Sequence, residues 1–440
     1  MGYSTRNDSF IFNQNAYSNN CEVLHTIEKV FSIIKGELNC NYEQPRKKLL
    51  NCFLCNLLYS SITGQRLGIH LNKNQYSNLP VRYRVPYYTY RLMANMVKAL
   101  NKYGLISFLS HIYFKENKEL NRTTLFYPTE RMLEITSLMD TKKITISEGY
   151  PEIIMLREKK IEGKGEIINY KDTKETSTMR KDLGEYNEFI SGAKISCNRV
   201  KSYNNTQLSN ETINNNTNTQ SLPYISTVRV NAFVTSKLHR VFSNSSFEQG
   251  GRFYTGNFGY QNLSKKERET ILIDGESTAE LDYSGMHISM LYAKRNIQYN
   301  DDPYLAVSKH PELREILKKI LLISINADNR ARANKAIIKE YPDIKHKLTP
   351  YDLTLSSLID KFEQVHSPIA DYFFSGQGVF LQNTDSKIMN DILISFTKLG
   401  KPALSVHDSV IVQKKDKYLL KWTMEEYYKK YMDGFTCKIK

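Results

Sequence analysis

The chain has 440 residues and a formal net charge of +15, from 61 Lys and Arg against 46 Asp and Glu. That length predicts two or three domains with a sizeable core. No apolar run reaches the length of a membrane-spanning helix, and the opening MGYSTRNDSF lacks the apolar stretch of a secretory signal, so a cytoplasmic protein without membrane partners is expected. Such an excess of positive charge points to a polyanionic partner. Nucleic acid fits better than a membrane surface, because no basic amphipathic helix stands out; the plainer alternative is a composition merely rich in Lys, Asn and Ile.

Taken in chain order, residues 25–62 read as one or two amphipathic helices. Six cysteines fall at 21, 40, 52, 55, 197 and 437, and no disulfide framework is suggested. Cys52 and Cys55 lie in KLLNCFLCNLLYSS, an apolar helical context that predicts buried structural thiols. A zinc site shared with Cys21 and Cys40 is the alternative. In VRYRVPYYTYRLMANMVKALNKYGLISFLS, Met93, Met96, Val97 and Leu100 mark one helix face and Gly104 is placed as a C-cap. Two strand-like runs follow, LISFLSHIYF and RTTLFYP, joined by the polar turn KENKELN. A helix, a glycine and a hairpin suggest a winged-helix-like module over 1–145. There RYR and the basic and Tyr residues of the helix would suit a phosphate-facing surface.

Residues 152–198 read as polar helices. KSYNNTQLSNETINNNTNTQ, at 201–220, reads as a flexible insertion. Together they suggest a helical, thumb-like segment over 146–225. The well-patterned remainder, 226–440, carries the chemistry.

Four stretches stand out there. In GGRFYTGNFGYQNLSKKERETI the glycines allow close backbone approach, and Arg252, Gln261 and Asn262 suit contact with a nucleic-acid backbone or minor groove. In TAELDYSGMHISMLYA an alternating run meets a helix-like run, with Asp282 at the junction. HPELREILKKILLISINADNRARANK begins a helix at Pro311, with Arg314 and Lys318 four residues apart on one face, a pair able to hold a triphosphate. In KPALSVHDSVIVQKKD, β-forming residues flank His407-Asp408-Ser409, which predicts a hairpin with Asp408 at its bend. Two Mg²⁺ ions about 3.5–4 Å apart need carboxylates from two separate elements, and Asp282 and Asp408 would supply them. Each has a plainer alternative: Asp282 as a helix cap, Asp408 as a turn residue.

In this order the four stretches resemble the motifs of family A DNA polymerases and of the related phage-type single-subunit RNA polymerases, over roughly residues 240–430. DYS at 282–284 is similar to the motif whose aspartate binds both metals, and VHD at 406–408 to the motif supplying the second. Arg314, Lys318 and the pair Asn326-Ala327 follow the spacing of the fingers helix that grips the incoming triphosphate. GR at 251–252 and QNL at 261–263 follow that of the template–primer motif.

The resemblance implies an α+β right-hand fold with an antiparallel palm sheet and helical fingers and thumb. It implies a template-dependent nucleotidyltransferase, a DNA polymerase ahead of an RNA polymerase or primase, using two Mg²⁺ or Mn²⁺ ions, nucleoside triphosphates and a DNA or RNA template. The shortness of the chain suits a phage or mobile element. By the same resemblance, Asp282, Asp408 and the Tyr283 carbonyl would bind metal, and Lys318 would neutralise or protonate the leaving pyrophosphate. Arg314, Tyr283, His287 and Asn326 would line the nucleotide, and Arg252, Gln261, Asn262 and His407 would steady template and primer.

Four positions depart from the family pattern. His287 stands where the DNA polymerases carry a sugar-selecting Glu, Asn326-Ala327 replace Tyr-Gly, and Ser409 follows the second aspartate as in the RNA polymerases. Sugar choice is therefore open. Rival readings are template-independent addition and a non-catalytic DNA-binding replication protein.

Overall fold

The computed structural model describes residues 9–38, 43–63, 65–77, 79–110, 123–137, 139, 144–159, 165–199, 230–231 and 234–440. The fold is mixed α and β, and contacts divide the chain into two interleaved units. One comprises Met1–Ile153, Ile190–His239 and Thr255–Thr278; the other comprises Ile154–Phe189, Arg240–Tyr254 and Ala279–Lys440. No helix among the described residues is long and apolar enough to cross a membrane.

In the first unit, helices Cys21–Ile34, Glu43–Thr63 and Tyr90–Lys102 accompany a four-stranded sheet. Its order is Ser9–Ile11, Arg66–Ile69, Thr124–Pro128, Ile106–Leu109, with the first pair parallel and the others antiparallel. Thr89 caps helix Tyr90–Lys102 by accepting from the Leu92 N–H. Met93, Met96, Val97 and Leu100 are all buried, as their spacing predicts, while Arg91, Asn95 and Lys98 face outward. Gly104, at φ 63°, ends the helix in the left-handed conformation that glycine adopts at no steric cost. The chain then runs into the hairpin strands, which pair from Ile106↔Pro128 to Leu109↔Leu125. The KENKELN turn, the insertion at 201–220 and Cys40 lie outside the described residues. Cys52 and Cys55 are buried, their thiols bonded to the Asn13 carbonyl (3.0 Å) and the Asn51 side chain (3.4 Å). Burial pushes both thiols well up, which suits packing rather than reactivity. Within RYR, Tyr83 is buried, Arg82 pairs with Glu152 at 3.6 Å and Arg84 is exposed.

The same unit holds a fully buried acid. Glu148 accepts hydrogen bonds from Asn13 Nδ2, Thr235 Oγ1 (3.0 Å), the Gly256 N–H (3.2 Å) and Tyr150 Oη (3.3 Å). Burial raises its pKa and these four donors oppose the rise. A Cβ at Gly256 would stand 2.0 Å from Glu148 Oε1, so only glycine fits there.

The expected polar helices over 152–198 require correction. Within that span lie strands Ile154–Arg157 and Ile167–Ile168, helix Lys174–Ser191 and strand residues Ile195–Ser196. Ile154–Leu156 pairs in parallel with Arg240–Phe242, more than 80 residues away in sequence. Local periodicity carries no trace of so distant a partner. Among the described residues of 146–199, the one helix is Lys174–Ser191.

In the second unit, strand Ser246–Tyr254 follows His239–Ser243 through Asn244 and Ser245, at φ 57° and 58°, the paired positive values of a type I′ hairpin turn. The long helix Gly378–Lys398 covers this hairpin, with Asn383 Nδ2 donating to the Phe247 carbonyl at 3.0 Å. Gly251, at φ 90°, leaves no room for a side chain: a Cβ would lie 2.6 Å from the Phe242 ring. Its carbonyl accepts from the buried Arg240 Nε at 2.9 Å, and that guanidinium lies 5.0 and 4.9 Å from the Phe242 and Phe253 ring centres. A second hairpin, Ala403–Val406 with Ser409–Gln413, lies beside the end of strand Glu276–Asp282.

Candidate active site

Strand Glu276–Asp282 ends on its aspartate. Gly285, at φ 68°, then turns the chain into helix Met286–Ala293, the strand-to-helix junction expected from the sequence. The Asp282 main chain is held on one side by Lys438–Lys440, with the Lys440 N–H donating to the Asp282 carbonyl (2.9 Å) and the Ser284 N–H to the Lys438 carbonyl (2.7 Å). These bonds leave the Tyr283 carbonyl outside the pairing. The Tyr283 ring is buried, its hydroxyl donating to the Met424 carbonyl at 2.6 Å. Asp408 sits in the two-residue bend between Val406 and Ser409, and His407 beside it takes φ 58°.

The Tyr283 N–H donates to the Asp408 carbonyl at 3.3 Å. Two acidic residues 126 positions apart are thereby brought onto adjoining backbones. The Asp282 pKa is pushed up to about 7, first by desolvation and next by the Asp408 charge. Glu280 adds to the rise, while Lys318 and Lys440 oppose it. Asp282 keeps an open, solvent-facing side while its carboxyl is crowded on the other.

Glu280 is a residue the sequence reading missed. It lies two positions before Asp282, hence on the same face of the strand, and accepts from Ser409 Oγ at 2.7 Å. The period of two along the strand was the available signal. The donors on offer are all oxygen, the Asp282 and Asp408 carboxylates and the Tyr283 carbonyl, with Asp282 exposed and like charge raising its pKa. That is the environment a hard divalent cation such as Mg²⁺ or Mn²⁺ takes, so the residues fit one. Among the described residues, no three or more His, Cys, Asp and Glu side chains gather as a metal centre.

The expected phosphate grip sits on helix Arg314–Asn326. Lys318 is solvent-exposed and acts electrostatically on Asp282. Arg314 is already engaged: its two terminal nitrogens donate to Asp302 at 3.0 and 2.7 Å, and its guanidinium lies 4.9 Å from the Tyr304 ring centre. Asn326 ends the helix, donating to the Leu322 carbonyl at 2.7 Å. Arg330 pairs with Asp360 and Glu363, and Arg332 with Asp328.

Arg252 and His287 meet on a residue to which the sequence reading assigned no role. Asp385, on helix Gly378–Lys398, is buried and accepts from Arg252 Nε at 3.2 and 3.0 Å and again from Nη2. His287 Nε2 lies 2.9 Å from the same carboxylate and 3.3 Å from Arg252 Nη2. The Asp408 charge also acts on Arg252, which sets this buried cluster close to the acidic pair. No local pattern marks Asp385; it appears only when three segments fold together. His407 packs its ring edge-on to Tyr254, with centroids 5.7 Å apart. Gln261 and Asn262 belong to the first unit. There Gln261 Oε1 accepts from the Thr255 N–H (3.0 Å) and Asn262 Nδ2 donates to the Gly256 carbonyl (2.7 Å).

Neither a family model nor a curated protein matches this chain. Among solved structures it has a likeness to the POL domain of Pol1 from M. smegmatis, in complex with DNA primer-template and dNTP. The two are 13% identical over 46% of this chain and 47% of that one, with a TM-score of 0.27. The match spans about half the length of that chain, and at this score carries no argument. The functional reading therefore stands on the residues.

Proposed function

We propose that the protein is a nucleotidyltransferase that adds nucleotides to a 3′-hydroxyl, a DNA polymerase in the first instance. The observation that carries the reading is the meeting of Asp282, at the end of a strand, with Asp408, in a hairpin bend, with a shared excess of negative charge. Asp282, Asp408 and the Tyr283 carbonyl would hold divalent cations. When bound, such cations acidify the attacking hydroxyl and neutralise charge on the phosphates.

The chain's own residues do the rest. The bonds from Lys440 and Ser284 fix the Asp282 backbone, and the tight bend fixes Asp408, so the carboxylates are held before substrate arrives. Lys318 is the cation best placed to take up negative charge on the departing pyrophosphate. Arg314, seated on Asp302, keeps further donors on its fork for a phosphate oxygen. Arg252 and His287, fixed by Asp385, form a rigid wall beside the pair. In the first unit, helix Tyr90–Lys102 and its hairpin would serve as a winged-helix-like module, offering Arg91, Asn95 and Lys98 to nucleic acid.

The seating of Arg314 on Asp302 favours a second reading, a protein that binds nucleic acid without catalysis. Primer extension separates the two. A recessed duplex is supplied with Mg²⁺ and either dNTPs or NTPs, with and without template, using Asp408→Ala as control. Incorporation that is lost in the variant is expected, and the nucleotide accepted reports the sugar preference. Tight duplex binding with no incorporation under any condition would establish the non-catalytic reading.

A further inference from the structure

The last long helix, Lys417–Tyr431, buries Leu420, Thr423, Met424 and Tyr428 and turns a different face to solvent. Tyr418 and Trp422 stand on that face, four residues apart, 85% and 61% exposed. Two large exposed rings one helical turn apart, rimmed by charge, form the kind of patch that marks an interaction site. Trp422 is the only tryptophan in the chain. Around the two rings, Lys414, Lys415, Lys417 and Lys421 are all exposed. The one acid among residues 414–422, Asp416, is buried and bonded to Lys401. The exposed part of that segment is thus two aromatic rings among four positive charges. Farther along the helix the balance changes, with Glu426 paired to Lys429 at 2.9 Å.

We infer that this face binds single-stranded nucleic acid, the rings stacking on bases and the lysines taking the phosphates. Residues at this spacing have Cβ atoms about 5–6 Å apart on a helix, so the two rings rise from neighbouring turns and suit neighbouring bases of an extended strand. Stacking is indifferent to base identity, so the site is expected to be sequence-tolerant and salt-sensitive. The cationic surround selects a polyanion over an apolar peptide, and flat faces suit bases better than acyl chains. The surface shares no residue with the carboxylate pair and stands whether or not that pair is catalytic.

The single tryptophan makes the test local. Full-length protein, without Mg²⁺ or nucleotides, is titrated with oligothymidylate of about 16 nucleotides. Saturable quenching of Trp422 emission is expected. Fluorescence anisotropy of a labelled strand should show affinity falling at least about tenfold in Tyr418→Ala/Trp422→Ala. Trp422→Phe, which keeps a ring, should stay within about threefold. Changing the four lysines to Ala should flatten the log–log salt slope by about 0.7 for each phosphate no longer neutralised. The inference fails if Trp422 emission ignores saturating oligonucleotide, or if the double variant binds within twofold of the parent. A blue shift with vesicles of phosphatidylglycerol in phosphatidylcholine, without response to oligonucleotide, would assign the face to a lipid surface. Self-association abolished by the double variant, again without that response, would assign it to a second copy. Incorporation by Asp408→Ala reports on the carboxylate pair alone, so the two ideas fail separately.

Discussion

The two units treat a negative charge in opposite ways. Glu148 is fully buried and surrounded by four hydrogen-bond donors from chain segments as far apart as Asn13 and Gly256. Asp282 is open on one side, faces Asp408 and Glu280, and has Lys318 and Lys440 as partial compensation. The first acid has its bonding satisfied within the protein, so it joins segments together. The second leaves charge unsatisfied, which costs stability and, on the proposed function, is where a cation would bind. A carboxyl with a raised pKa is thus structural or functional according to what is left for a ligand to do.

Exchanging the two acids for neutral analogues sharpens that contrast. Asp282→Asn is expected to lower incorporation by about 10³-fold or more, roughly 4 kcal/mol of transition-state stabilisation. Its unfolding midpoint should hold or rise, since a like-charge contact is removed. Activity within tenfold of the parent would break the assignment. Glu148→Ala should act in reverse, destabilising the protein by about 3 kcal/mol because four donors lose their acceptor. Denaturant titration measures this, and the protein remaining folded should incorporate nucleotide at the parent rate. Glu148→Gln should cost about 1 kcal/mol, because the amide oxygen still accepts.

A smaller effect concerns pH. Asp282 with a pKa of about 7 is mostly protonated at pH 6 and mostly ionised at pH 8. A cation must displace that proton, so Mg²⁺ affinity by calorimetry should be about tenfold greater at pH 8, with proton uptake by the buffer at the lower pH. Stability takes the opposite sign. A carboxyl whose folded pKa is raised contributes stability present below its unfolded value, and this is lost as pH rises through about 7. Glu148 has the same sign, so neither acid is a source of acid lability. Equal Mg²⁺ affinity at both pH values would mean the carboxyl does not bind the ion.

The smallest effect concerns the bend. His407→Gly relieves a left-handed conformation at φ 58° and should raise stability by up to about 1 kcal/mol, read from the unfolding midpoint. A large loss of stability instead would mean that the His407 ring against Tyr254 holds the hairpin.

Much of this was legible in local pattern. The buried face of helix Tyr90–Lys102 follows from a period near four, and Gly104 from the steric freedom a helix end requires. The junction at Asp282 and the bend at Asp408 follow from alternation interrupted by turn-forming residues. Each is decided within a dozen residues, where backbone sterics and side-chain spacing act directly. The strands near 154–168 were hidden because their partner, Arg240–Phe242, is distant, and a short apolar run reads equally well as helix.

The sequence by itself determined which residues alternate, which turn, and which carry charge. Only the tertiary structure decided whose charge each would meet. It set Arg252 and His287 on Asp385, Arg314 on Asp302, and Glu280 beside Ser409. It also left Tyr418 and Trp422 in water. The physical reason is that electrostatics and burial depend on distances through space, and chain order does not encode those distances until the backbone has closed its loops.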